Sequence, residues 1–162
     1  MREGTTFVTD SLFKMLPKPI VKIMKTQTIT YISWALQLLI AIIFLQTLYF
    51  KFSAHPDSIY IFSTLGMEPY GRIGTGIAEL ITSALLLIPA TKIYGGILSL
   101  GLISGAVLAH LGPLGIEVQG DGGKVFYLAL TVLIATVLFL FLNRNALWQI
   151  IAGFTRRKTA VK

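Results

Sequence analysis

The 162-residue sequence contains no cysteine. This excludes disulfides, thiolate nucleophiles, iron–sulfur ligation and any dithiol relay of electrons to a quinone. Charge is scarce as well: 13% of residues are Asp, Glu, Lys or Arg, against 54% hydrophobic. A chain of this size then carries more apolar surface than one compact soluble core hides from water, so a bilayer must supply the remaining cover. Acid is the scarcer sign, with seven Asp and Glu to fourteen Lys and Arg. The basic residues cluster beside apolar runs, as anionic lipid headgroups require, so nucleic-acid binding is disfavoured. Two histidines, His55 and His110, are poor material for bis-histidine haem, and no spacing suggests a metal site. The Gly71-x-x-Gly74-x-Gly76 run follows no strand and is not a dinucleotide loop.

Four stretches approach the roughly 20 apolar residues a spanning helix needs: 31–50, 72–91, 93–112 and 124–142. The second and third are separated only by a short turn marked by Pro89 and Lys92, so they form an antiparallel hairpin. The expected fold is an all-α membrane protein: a four-transmembrane-helix antiparallel bundle with interfacial N-terminal and short outer-loop helices. The chain then reads as a basic amphipathic leader (1–28), a transmembrane domain (29–142) and an amphipathic basic tail (143–162). No internal repeat or low-complexity tract divides it.

Counting Lys and Arg in short flanks places the leader, the Lys92 turn and the tail on one side. Both termini are therefore expected in the cytoplasm and the protein in the plasma membrane, a bacterial inner membrane. Lys14, Lys18, Lys22 and Lys25 recur on one helical face of the leader, opposite Phe13, Leu16, Ile20 and Ile23. Pro17 and Pro19 interrupt it, so two short pieces are expected, the second running into the first span. No cleavage site follows the leader, and a removable signal peptide is not expected. A short interfacial helix at about 56–65 should open with Pro56 and end before Gly66, burying Tyr60, Ile61, Phe62 and Leu65. In the tail, Trp148, Ile150, Ile151 and Phe154 ahead of a basic cluster read as an interfacial anchor.

Glu79 is the one carboxylate inside a span, where an ionisable group must be paired, neutralised or hydrated. It shares a helical face with Arg72, Thr75, Gly76, Thr82 and Ser83. Helix directions bring Gln46, Tyr49, His110 and Tyr127 to a similar level, with Lys51 and Lys124 at the rim. Glu79, His110, Gln46, Tyr49, Lys51, Arg72, Tyr127 and Lys124 are thus the candidate ligand-binding residues of an outward-facing cavity. Lys51, Lys124 or His110 is expected to meet Glu79, whereas Gln37, nine residues from Gln46, falls a half-turn out of phase. Interhelical hydrogen bonding without a ligand is the competing reading of the same groups. Gly101-x-x-x-Gly105 allows close backbone approach in the third span, serving the bundle or, alternatively, a homodimer. Asp121 reads as the cap of the last span.

The run Phe44-Leu45-Gln46 to Lys51-Phe52, then Gly71-Arg72-Ile73-Gly74 with Glu79-Leu80, Ala109-His110-Leu111 and Gly120-Asp121-Gly122-Gly123, resembles the DoxX family over about residues 31–142. The family's commoner pattern has an acid after those glycines, where this chain has Lys124. The resemblance implies a small membrane subunit: some members are described as parts of thiosulfate:quinone oxidoreductase or as partners of redox enzymes. Distant relatives on the same plan include the NACHO-type receptor-assembly chaperone. By position the family's intramembrane acid falls on Glu79 and its histidine on His110; with these two groups the expected function is an accessory subunit, such as one of a membrane oxidoreductase, binding a quinone or lipid-like ligand around Glu79, and no nucleophile, metal site or cofactor motif points to free-standing catalysis. The alternative is a membrane-protein assembly chaperone or scaffold in which Glu79 is structural.

Overall fold

The structure, a computed structural model, describes residues 18–159. Among the described residues there are six helices and no strand: α1 (Lys18–Phe52), α2 (Pro56–Thr64), α3 (Tyr70–Leu87), α4 (Lys92–Leu111), α5 (Lys124–Leu142) and α6 (Arg144–Thr159). The chain divides into two compact units, Met1–Trp34 and Ala35–Lys162. In the first, α1 begins at Lys18 and carries Pro19 in its opening turn, where the missing N–H has no helical partner to lose. The second leader piece thus runs into the first long apolar helix; the piece expected ahead of Pro17 lies outside the described residues.

In the second unit one apolar core takes Ile40, Ile43 and Phe44 from α1, Leu86 from α3, Ile93, Ile103 and Val107 from α4, and Ala129, Val132, Ala135, Phe139 and Leu140 from α5. Spacings of three and four put each set on one helical stripe. The opposite stripes are equally apolar and face outward: Ile42 and Leu45 on α1, Leu108 on α4, Ile134, Leu138 and Phe141 on α5. Surfaces of this kind call for hydrocarbon cover. Gln27–Phe52, Lys92–Leu111 and Lys124–Leu142 are long and apolar enough to cross a membrane. The 18-residue α3, with Arg72 and Glu79, is not among these three.

Residues 88–91 turn α3 back on α4, and the Thr91 hydroxyl donates to the Leu85 carbonyl across the turn at 3.0 Å. A Cβ on Gly95 would lie 2.7 Å from the Leu86 nitrogen, and one on Gly96 2.7 Å from Phe139 Cε1. Consecutive glycines thus face α3 and α5 in turn, at the start of α4 and the ends of its neighbours. Ser99 and Thr136 join α4 to α5 by a buried hydroxyl pair at 2.8 Å. The expected close approach at Gly101 and Gly105 is not found: a Cβ at either would meet nothing within 4 Å. The contact sits one to two turns earlier, because the helices meet closest beside the α3–α4 turn and Gly101 and Gly105 point away from both partners.

The outer-loop helix opens with Pro56 and is followed by Gly66 at φ 67°. Only Phe62 of its expected apolar set is buried; Tyr60 is exposed. At the far end, Asn143 breaks α5 from α6, its side-chain amide donating to the Phe139 carbonyl at 2.8 Å. From α6, Ala146, Leu147 and Ile150 pack on the core while Trp148 faces out.

Candidate functional site

The polar stripe on α3 meets the last turns of α1. Lys51 Nζ lies 2.8 Å from Glu79 Oε2 and 3.0 Å from Oε1, and the Thr47 hydroxyl donates to Oε2 at 2.8 Å. The lysine and glutamate side chains each keep 13% of their surface open. This approach depends on Gly76, where a Cβ would stand 3.0 Å from Phe52 Cε1 and 3.6 Å from Lys51 Cβ. One helical turn away, Arg72 Nε donates to both oxygens of Glu68 at 2.8 and 2.9 Å, and Nη2 to Oε1 at 2.7 Å. Arg72 Nη1 also donates to the Lys51 carbonyl oxygen. That carbonyl is among the last four of α1, which no helical amide reaches, so the guanidinium supplies the missing donor and complements the negative end of the helix.

Two acids and two bases thus form one neutral chain of contacts, Glu68–Arg72–Lys51–Glu79, with Lys51 joined through both its carbonyl and its ammonium. Remaining hydroxyls on the stripe bond their own helix: Thr75 to the Gly71 carbonyl at 2.9 Å, Thr82 to Ala78 at 2.7 Å and Ser83 to Glu79 at 2.8 Å. A carboxylate held by an ammonium and a hydroxyl is suited to clamping two helices rather than to nucleophilic attack.

Of the expected site residues, Glu79, Lys51 and Arg72 come together. Thr47 and Glu68 were not foreseen, although each lies four residues before a named cation, Lys51 and Arg72, on the same helical face. His110 does not bond Glu79. It is buried at the end of α4, its Nδ1 is 2.9 Å from the Gly115 carbonyl, and its ring stands edge-on to Phe126 with centroids 5.7 Å apart. Gln46 and Lys124 are exposed, as are Tyr49 (70%) and Tyr127 (59%). The phase of α1 explains this, because the stripe through Ile40, Phe44, Thr47 and Lys51 turns inward and leaves Gln46 and Tyr49 outside. Gln37, three residues before Ile40 on that stripe, is fully buried, a half-turn out of phase with the exposed Gln46, so it is Gln46 that falls on the opposite face from the one expected.

Asp121 serves the loop before α5. Its Oδ1 accepts from the Val118 and Gly123 amides at 2.9 and 2.8 Å and its Oδ2 from Val125 at 2.9 Å. Burial pushes this carboxyl up, but the three amides, aided by His110, outweigh it and hold it below the usual carboxylate range. It caps α5 from two residues before Gly123, the formal cap position, whose φ of 79° suits glycine.

An open groove of about 510 Å³ is lined by Tyr94, Ile97, Leu98, Gly101, Leu102 and Ile150, and Glu79 is not among its walls. Among the described residues no group of three or more His, Asp and Glu is placed to hold a metal ion. Comparison of the chain with models of protein families, with curated proteins and with solved structures returns no match.

Proposed function

We propose that this chain is an integral membrane protein of four spanning helices that acts as an accessory or scaffolding subunit, offering its apolar outer faces to other membrane helices. The observation that carries the reading is the neutral Glu68–Arg72–Lys51–Glu79 chain, in which the polar groups of α3 are engaged with one another and with α1. A charge alone at mid-bilayer costs about 2.5–3.5 kcal/mol even on insertion scales, and pairing lowers that penalty. With its charges paired, α3 presents exposed Ile77, Leu80 and Ile81 to hydrocarbon and serves as the fourth span. The clustering of Lys and Arg at the chain ends and at Lys92 supports cytoplasmic termini in a bacterial inner membrane. The order of motifs that resembles the DoxX family supports a small partner subunit of a larger membrane assembly.

A second reading keeps a quinone or lipid-like ligand at Glu79. It is favoured by the 13% of surface left open on both partners and by Oε1, which among the described residues accepts from Lys51 alone. Native mass spectrometry on protein purified in mild detergent separates the two. A stoichiometric protein partner kept by both the wild type and a folded Lys51→Met/Glu79→Leu variant supports the scaffold. A quinone lost from that variant, with no protein partner in either sample, overturns it.

A further inference from the structure

The groove on α4 and α6 belongs to the end of the molecule away from the Lys51–Glu79 pair. Gly95 and Gly96, at the start of α4, meet Leu86 near the end of α3 and Phe139 near the end of α5, so α4 begins where its neighbours finish. Lys92 opens α4 at that end, and Arg144 opens α6 just past the end of α5. The groove follows α4 from Tyr94 through Leu98 and Gly101 to Leu102, a run of about 12 Å at 1.5 Å per residue, and Lys92 stands two residues before Tyr94. Its walls are aliphatic apart from Tyr94, and Ile150 of α6 closes one side. Gly101 forms the floor, with open space where a side chain would stand.

The sequence that flanks the groove carries charge of one sign. Lys92 and Arg144 are the charged residues at the starts of α4 and α6, and residues 80–116 and 122–162 contain no Asp or Glu. The Arg144 guanidinium lies over the Phe141 ring, 5.2 Å from its centroid, which fixes it beside the apolar surface. An apolar trough whose first lining residue follows Lys92 by two positions, with Arg144 at the start of the helix that supplies its side wall, matches one amphiphile: a negatively charged headgroup on a hydrocarbon tail.

We infer that this groove is a binding site for an anionic glycerophospholipid, one acyl chain lying along α4 over Gly101 and the phosphate held at Lys92 and Arg144. The site is independent of the charge network at the other end and of the protein's partners. Loose annular lipid would fill the same space without regard to headgroup; the basic rim makes this position selective.

Purified full-length protein in mild detergent is titrated with phosphatidylglycerol or phosphatidylcholine of identical chains, and bound lipid is counted by native mass spectrometry. The wild type is expected to bind phosphatidylglycerol at least about fivefold more tightly, roughly the effect of one basic residue near a charged headgroup. Gly101→Leu projects a side chain into the groove from a position where a Cβ meets no atom within 4 Å, and favours helix. It should weaken both lipids about tenfold. Lys92→Gln/Arg144→Gln should weaken phosphatidylglycerol more than phosphatidylcholine and bring the two lipids to parity. Equal binding of both lipids by the wild type, or unchanged binding by Gly101→Leu, overturns the inference. So does a dimer that Gly101→Leu abolishes in lipid-free protein, which would give the groove to a second copy of the chain.

Discussion

Replacing Glu79 by leucine removes the acceptor of two hydrogen bonds from Lys51 and one from Thr47. At roughly 0.6 kcal/mol each, the mean for side-chain bonds between membrane helices, these amount to about 2 kcal/mol. The stranded ammonium adds little, because Lys51 stands one residue from the end of α1 and can extend toward the polar boundary. Lys51→Met is harsher. It leaves the Glu79 carboxylate without a cation in the third turn of α3, and about 3 kcal/mol is expected, the low end for breaking a buried pair because 13% of each side chain is open. The double variant Lys51→Met/Glu79→Leu exchanges the pair for apolar groups of similar volume and should lose only about 1–2 kcal/mol. The cycle then closes on a coupling of about 3–4 kcal/mol. Unfolding by sodium dodecyl sulfate in mixed micelles, followed by far-ultraviolet circular dichroism, measures all four species. Additive losses, with a coupling under about 0.5 kcal/mol, would refute the clamp and return Glu79 to the ligand-binding reading.

Gly95→Ala places a methyl against the Leu86 and Leu85 backbone and should cost about 1–3 kcal/mol in the same titration, whereas Gly105→Ala enters open space and should be neutral or stabilising by up to about 1 kcal/mol. Asp121 is held below its usual range, so its contribution is complete above the unfolded value of about 3.9 and is lost as pH falls through the lower folded value. Amide exchange at Val118, Gly123 and Val125 should therefore quicken below about pH 4, beyond the intrinsic rate, and Asp121→Asn should remove that dependence. Since the chain has no cysteine, single cysteines report sidedness on a clean background. Glu117→Cys should react with an impermeant maleimide on intact cells and Lys92→Cys only after lysis; the opposite pattern would invert the orientation.

Helix positions were legible because apolar runs, prolines and loop glycines are local signals: the two last apolar helices begin at Lys92 and Lys124, and the outer-loop helix at Pro56, close to where the sequence places them. Helix phase was not. Nine residues separate Gln37 from Gln46, and a stripe drawn through the aliphatics alone is too broad on a helix that is apolar all round to say which faces in. The same breadth hides which glycines are in contact. Gly101-x-x-x-Gly105 has the familiar spacing, yet contact falls on Gly95 and Gly96, because a four-residue turn holds the two helices together beside them.

The site divides along the same line. Glu79 is legible by its rarity, since a single acid in an apolar run needs a partner, and Lys51 and Arg72 are the nearest cations in the sequence of facing helices. What composition cannot supply is the link between them. Arg72 reaches Lys51 through a main-chain carbonyl, and a carbonyl freed by the end of a helix carries no residue-type signature. That link also explains how α3 carries two charges and still packs against the strongly apolar α1 and α4. Arg72 meets Glu68 four residues earlier in its own chain, so only Glu79 depends on another helix, and the lysine it depends on belongs to the apolar helix that precedes α3 in the chain.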